Sequence, residues 1–163
     1  MKKQILLGAA AALLLMLAGS CRGNQNVSGS MSYYNFETTL TGTAPSGGLS
    51  LRCWGNGPDK ARAIENAKKN AVYDVIFKGV KGGTQSYMNK PIVTEVNARE
   101  RYAEYFDRFF ADGGEYRNFV TEASDSDKSR VKSKSNGREN FGVTVIVDRP
   151  ALQQQLRTDG VIR

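Results

Sequence analysis

Over residues 49–79 the hydrophobic period changes once, from two to between three and four. Leu49, Leu51 and Cys53 alternate with Ser50, Arg52 and Trp54, the pattern of a half-buried strand. Gly55, Asn56 and Gly57 then predict a turn. Pro58 suits the first helical position, where a missing N–H costs nothing. Beyond it Ile64, Ala67, Ala71 and Val75 recur three or four apart, widened by Ala63, Val72 and Ile76. Glu65, Lys68, Lys69 and Asp74 are expected on the opposite, solvated face, and Gly79 is the expected stop. The pattern predicts one amphipathic helix about 30 Å long. Ala63, Ala67 and Ala71 stand every four residues, so the helix can lie close on a sheet. A Gly-rich turn before a helix is also an anion site in principle. The chain has neither GxGxxG nor GxxxxGK[ST] there, which favours a plain strand-to-helix turn.

Other segments follow the same logic. Tyr34, Phe36, Thr38 and Leu40 alternate with Asn35, Glu37 and Thr39, predicting a first strand over 33–41. Residues 91–96 read as a short extended piece. Asn97-Ala98-Arg99-Glu100 resembles a capping box opening a second helix through Phe110. That helix puts Tyr102, Tyr105, Phe106 and Phe109 on one face, with Tyr116 and Phe119 following. Such a stripe packs against a sheet, or it forms an exposed groove in which Tyr102 and Tyr105 would touch a sugar polymer or a partner strand. Glu104, Asp107 and Arg108 read as solvated helix charges. A strand is expected over 119–124. A hairpin follows over 130–134 and 139–148 around Asn136-Gly137, with Val143, Val145 and Val147 on one face. Pro150 opens a last helix with Leu152 and Leu156 inward and Gly160 as its stop. The order predicts an α+β fold: an antiparallel sheet of about four to five strands, with the long helix and the aromatic second helix packed on it.

The first twenty residues are of a different kind. Lys2 and Lys3 precede an apolar run from Ile5 to Leu17 that is short for a membrane span and ends in small residues. Leu17-Ala18-Gly19-Ser20-Cys21 resembles the lipobox of bacterial lipoproteins, with Leu four rather than three places before the cysteine. The resemblance implies that Cys21 is acylated and becomes the mature N-terminus. An ordinary secretory peptide with an incidental cysteine is the other reading. Acyl chains, at about 0.8 kcal/mol per buried CH₂, would hold the chain to a membrane without a spanning helix. Arg22 follows where Asp, by the same resemblance, favours inner-membrane retention, so the outer membrane, periplasmic side, is expected. The domain plan is then a signal peptide over 1–20, a Gly/Ser/Asn-rich tether over 21–32 and one α+β domain over 33–163.

Charge and chemistry narrow the function class. The formal charge is +7, and removing Lys2 and Lys3 takes it to +5. Surplus charge on an envelope protein favours anionic partners such as headgroups or peptidoglycan, and export makes nucleic acid the wrong partner. Lys128, Arg130, Lys132 and Lys134 alternate along one strand arm. They form a contact surface for such a polymer, or a charged edge that blocks aggregation. Cys53 is a small buried apolar residue or a reactive thiol, and a Cys21–Cys53 disulfide opens if Cys21 is not lipidated. The chain has no histidine, which removes Ser-His-Asp and Cys-His catalysis and His metal ligands. Asp125 and Asp127 lack the Gly and distal Glu of an EF-hand. No catalytic set, metal or cofactor is expected.

The run WGNGPDKARAIENAKKNAVYDVIFKGV is similar to a G-x-G-x-x-x-x-A-x-x-x-A-x-x-x-A segment of small envelope lipoproteins related to the N-terminal domain of flagellar assembly protein T, through Gly55, Gly57, Ala63, Ala67 and Ala71. The closing FGVTVIVDRPALQQQL is similar to their final strand and helix. The resemblance implies an α+β domain with an accessory or scaffolding role at the outer membrane, a protein partner in the envelope, and no catalysis. A peptidoglycan-binding module using the basic strand and the two tyrosines is the alternative.

Overall fold

The computed structural model describes residues 37–82, 88–124, 131–135 and 138–163, with side chains left undescribed at 88 and over 131–139. Strands β1 (Thr39–Thr43) and β2 (Leu49–Gly57) lead into helix α1 (Lys60–Tyr73), which runs on as a π-helical turn over Asp74–Lys78. Short strands β3 (Val80–Gly82) and β4 (Met88–Asn89) follow, then helices α2 (Ala98–Arg101) and α3 (Ala103–Phe109) and a 3₁₀ turn over Glu115–Phe119. Strands β5 (Val120–Glu122), β6 (Val131–Ser135) and β7 (Arg138–Val147) precede the last helix, α4 (Arg149–Thr158).

These strands form one sheet in the order β4-β3-β1-β2-β7-β5, with β6 also on β7. The α+β class is the expected one, but the sheet is mixed rather than antiparallel, because β1 and β3 run parallel. The connection between them contains β2 and α1, and a crossover of that kind, unlike a hairpin, permits parallel pairing. Strands β5 and β6 lie end to end on the same side of β7, opposite Val145–Val147 and Arg138–Gly142 respectively.

The core lies on one face of the sheet. Leu49, Leu51 and Cys53 of β2 stand beside Val147, Val145 and Val143 of β7, and all six are buried. Ala63, Ala67 and Ala71 of α1 and Leu152 and Leu156 of α4 are fully buried as well. Burying each of the valines and leucines gives roughly 1.5–3 kcal/mol.

Gly55 and Gly57 correct the sequence reading. They do not break the strand; β2 runs through both and stays paired with Phe141 and Glu139. A Cβ on Gly55 would lie 2.1 Å from the Ala63 carbonyl oxygen and 2.3 Å from the Ala67 nitrogen, and one on Gly57 2.7 Å from the Ala63 nitrogen. The glycines are there because α1 rests directly on the strand backbone. Pro58 is correspondingly not the first helical residue. Asp59 caps the helix, its carboxylate accepting from the Arg62 N–H at 2.9 Å.

The far end of α1 is wider than an α-helix. The Gly79 N–H reaches back five residues to the Asp74 carbonyl, and Gly79 takes φ 75°, ending the helix where expected. The carbonyls of Val75 and Ile76 accept from the N–H groups of Ile92 and Val93, at 3.1 and 2.9 Å, which fixes the segment after β4.

The second helix also departs from expectation. It is split at Tyr102 into α2 and α3, and Asn97 sits at φ 62° with no side-chain cap. Asn tolerates the left-handed region, so it turns the chain rather than capping it. The last helix matches the reading: Asp148 caps it through the Ala151 N–H at 3.0 Å, and Gly160 at φ 73° follows it.

Candidate functional site

Two polar systems hold the aromatic segment 98–119 to the rest of the molecule, and between α3 and α4 they leave a cleft. The first grips α1. Asp112 takes Arg62 and Lys69, each at 2.7 Å. These contacts, 2.7 Å long, hold its carboxyl down to about 2 through the Lys69 and Arg62 hydrogen bonds. Lys69 is only 6% exposed and sits 5.5 Å from the Tyr116 ring, so the expectation of a solvated Lys69 is overturned by the turn over 111–114 folding across it. Glu65 receives the Tyr116 hydroxyl and, at 2.6 Å, the Arg117 guanidinium. Burial pushes the Glu65 carboxyl up, but those two donors outweigh it and hold it below its usual range.

Asp74, also expected on the solvated face, is buried at the start of the π-turn. It accepts from the Thr38 hydroxyl at 2.5 Å and pairs with Lys78 at 3.0 Å. Burial dominates and raises its carboxyl pKa. The neighbouring asparagines do a different job. β1 flanks β2 only as far as Arg52. Further along, the Trp54 and Asn56 carbonyls accept from Asn70 Nδ2 and Asn66 Nδ2, both at 2.7 Å, so α1 supplies donors where the strand neighbour ends.

The second system faces α4. The Tyr105 hydroxyl donates to Asp159 at 2.6 Å, and the Tyr102 hydroxyl to the Gly160 carbonyl at 3.3 Å. Gln155 Nε2 donates to both Asp159 oxygens, at 3.1 and 3.0 Å. Burial, with the Asp159 hydrogen bond, pushes the Tyr105 hydroxyl pKa well up. Tyr105 stacks on Phe109, centroids 5.8 Å apart at 21°. Tyr105, Arg108, Phe109, Glu115, Gln155 and Asp159 line an open cleft of 380 Å³. A smaller recess of 210 Å³ lies by Arg99, Ala103 and Phe106.

The structure therefore brings Tyr102 and Tyr105 together at the end of α4, half-buried, with their hydroxyls engaged. Phe106, Phe109 and Tyr116 are buried, which is the packing reading of the stripe. Lys132 and Lys134 occupy β6 opposite Phe141 and Glu139. Lys128, Arg130 and Cys21 lie outside the described residues. Cys53 is a free thiol with no exposed surface, donating to the Val143 carbonyl at 3.6 Å. Burial, and then the Asp74 charge, push its thiol pKa far up, away from the reactive thiolate. Sequence reasoning missed Arg108, Glu115, Gln155 and Asp159 as cleft residues, because the contacts joining α3 to α4 span more than fifty positions.

Among the described residues no cluster of acidic, Cys or His side chains could hold a metal ion, and no helix is long and apolar enough to cross a membrane. Comparison with family models, curated proteins and solved structures finds no match.

Proposed function

We propose that this chain is a lipid-anchored, non-catalytic accessory domain on the periplasmic side of a bacterial outer membrane, which engages an envelope protein by accepting a partner strand along its β5–β6 edge. The observation that carries the anchor is the N-terminal run of two lysines, an apolar stretch, small residues and Cys21. The docking mode is supported by β5 and β6 lying end to end, each paired on one side only among the described residues. Unpaired edge backbone is a template for strand addition. The aromatic helix is the weaker surface, since Gly160 and Asp159, just after α4, occupy both tyrosine hydroxyls. The resemblance to lipoproteins related to flagellar assembly protein T favours the same scaffolding role.

The anchor is tested by intact mass of the mature protein from membranes beside Cys21→Ser. Acylated Cys21, lost in the variant, is expected; simple cleavage overturns the anchor. The edge is tested with a photo-crosslinker at Thr121, an exposed β5 residue. One specific envelope protein should be captured in cells, and nothing above background overturns strand addition.

A further inference from the structure

We propose that the cleft between α3 and α4 binds a zwitterionic, amino-acid-like group, its carboxylate on the Arg108 guanidinium and its ammonium beside Glu115. This stands on the cleft alone and needs neither the membrane anchor nor the strand edge.

The floor is pre-formed. Phe109 is buried, Tyr105 stacks on it, and the Tyr105 hydroxyl is fixed by Asp159. Asp159 is committed, accepting from Tyr105 and twice from Gln155, so it shapes the wall and adds negative potential. Arg108 and Glu115 are different. They carry opposite charge on the rim of the same cleft, yet neither forms an ion pair or side-chain hydrogen bond among the described residues. A guanidinium and a carboxylate that share the rim of one cleft without pairing with each other match a ligand bearing both charges at its ends.

The chemistry is selective in each half. A guanidinium presents parallel donors that fit a carboxylate bidentately. An ammonium is favoured by Glu115 and by the Asp159 charge, with the half-buried Tyr105 ring beside them. The 380 Å³ volume lies at the small end of ligand sites, enough for an amino acid or dipeptide and too small for a folded element. Free amino acids and peptide ends share this chemistry, and the assay separates them.

The test is equilibrium dialysis of the purified full chain against labelled alanyl-alanine. Free alanine, N-acetyl-alanyl-alanine and alanyl-alanine amide are the other arms. Saturable binding of the zwitterion is expected, weakened about tenfold or more by capping either end. Arg108→Gln should weaken the dipeptide as much as amidation does and leave the amide's binding unchanged. Glu115→Gln should do the same for acetylation. Both side chains are exposed, and unaltered thermal unfolding will show that the variants fold. Tighter binding of alanine than of the dipeptide assigns the site to free amino acids; the reverse assigns it to peptide ends. No saturable binding of either at about 10 mM, or binding indifferent to both substitutions, overturns the proposal.

Discussion

Two regions pack into the domain by opposite means. Helix α1 lies on β2 with almost nothing between them: alanines on one side, glycines on the other, and only 2.1 Å between a Cβ built on Gly55 and the Ala63 carbonyl oxygen. The segment 98–119 instead uses bulk. Phe106, Phe109 and Tyr116 fill space, and rings pair at 5–6 Å in stacked and edge-on geometries, such as Phe109 with Phe110 and Phe119. Its position is then set by polar contacts at its rim, through Asp112, Tyr105 and Tyr116. Contact between backbones has no room for an added atom, so one is accommodated only by forcing the layers apart. Contact between rings tolerates rearrangement, but loses energy with each ring removed.

That contrast can be broken at either side. Gly55→Val should have the largest effect. Its side chain meets α1 backbone, which cannot move aside like a flexible side chain, so loss of the folded state is expected by circular dichroism. Gly55→Ala should leave a folded but severely weakened protein, by about 3 kcal/mol in denaturant unfolding. On the other side Phe109→Ala should cost about 3–5 kcal/mol while leaving strand content intact, because it opens a cavity without forcing layers apart. A smaller effect, about 1 kcal/mol, is expected from Asp59→Ala, which removes the α1 cap but neither packing mode.

Acid sharpens the comparison last. The Asp112 carboxyl is held down to about 2, so its contribution is complete above the unfolded value near 4 and is lost as pH falls from there to about 2. Asp112 is largely exposed, so the loss should be under about 1 kcal/mol and shrink with salt. Asp74 has the opposite sign. Its raised pKa means that protonation relieves a cost of burial, so its contribution to stability improves as pH falls through the folded value. Thermal unfolding against pH of the parent, Asp112→Asn and Asp74→Asn should show the acid slope flattening in the first variant and steepening in the second.

How much of this was legible depends on the range of the cause. The valine alternation in β7 and the Leu152–Leu156 stripe are set by local period, and both landed as read. Gly55 and Gly57 were misread because one residue type serves turns and close backbone approach alike, and Pro58 beside them strengthened the wrong choice. The π-turn leaves no period of its own; its extra residue is supported by Ile92 and Val93 from beyond β4. Lys69 and Asp74 fell on the polar side of a helical wheel, yet were buried by partners 43 and 36 residues away. The cleft was hidden for the same reason: Arg108 looked like any solvated helix charge until α4 was set beside it.

Strand β1 has a mechanical consequence. It is the first described strand, and it lies inside the sheet with β3 on one side and β2 on the other. A pull entering from the N-terminal side loads a strand held by β2 along its length and by β3 at Thr39 and Leu40, so ladder bonds on both sides share the force. A rim strand such as β4 would peel bond by bond. Resistance to pulling follows the unfolding rate rather than equilibrium stability, so this placement can harden the domain against tension without adding to its stability at rest.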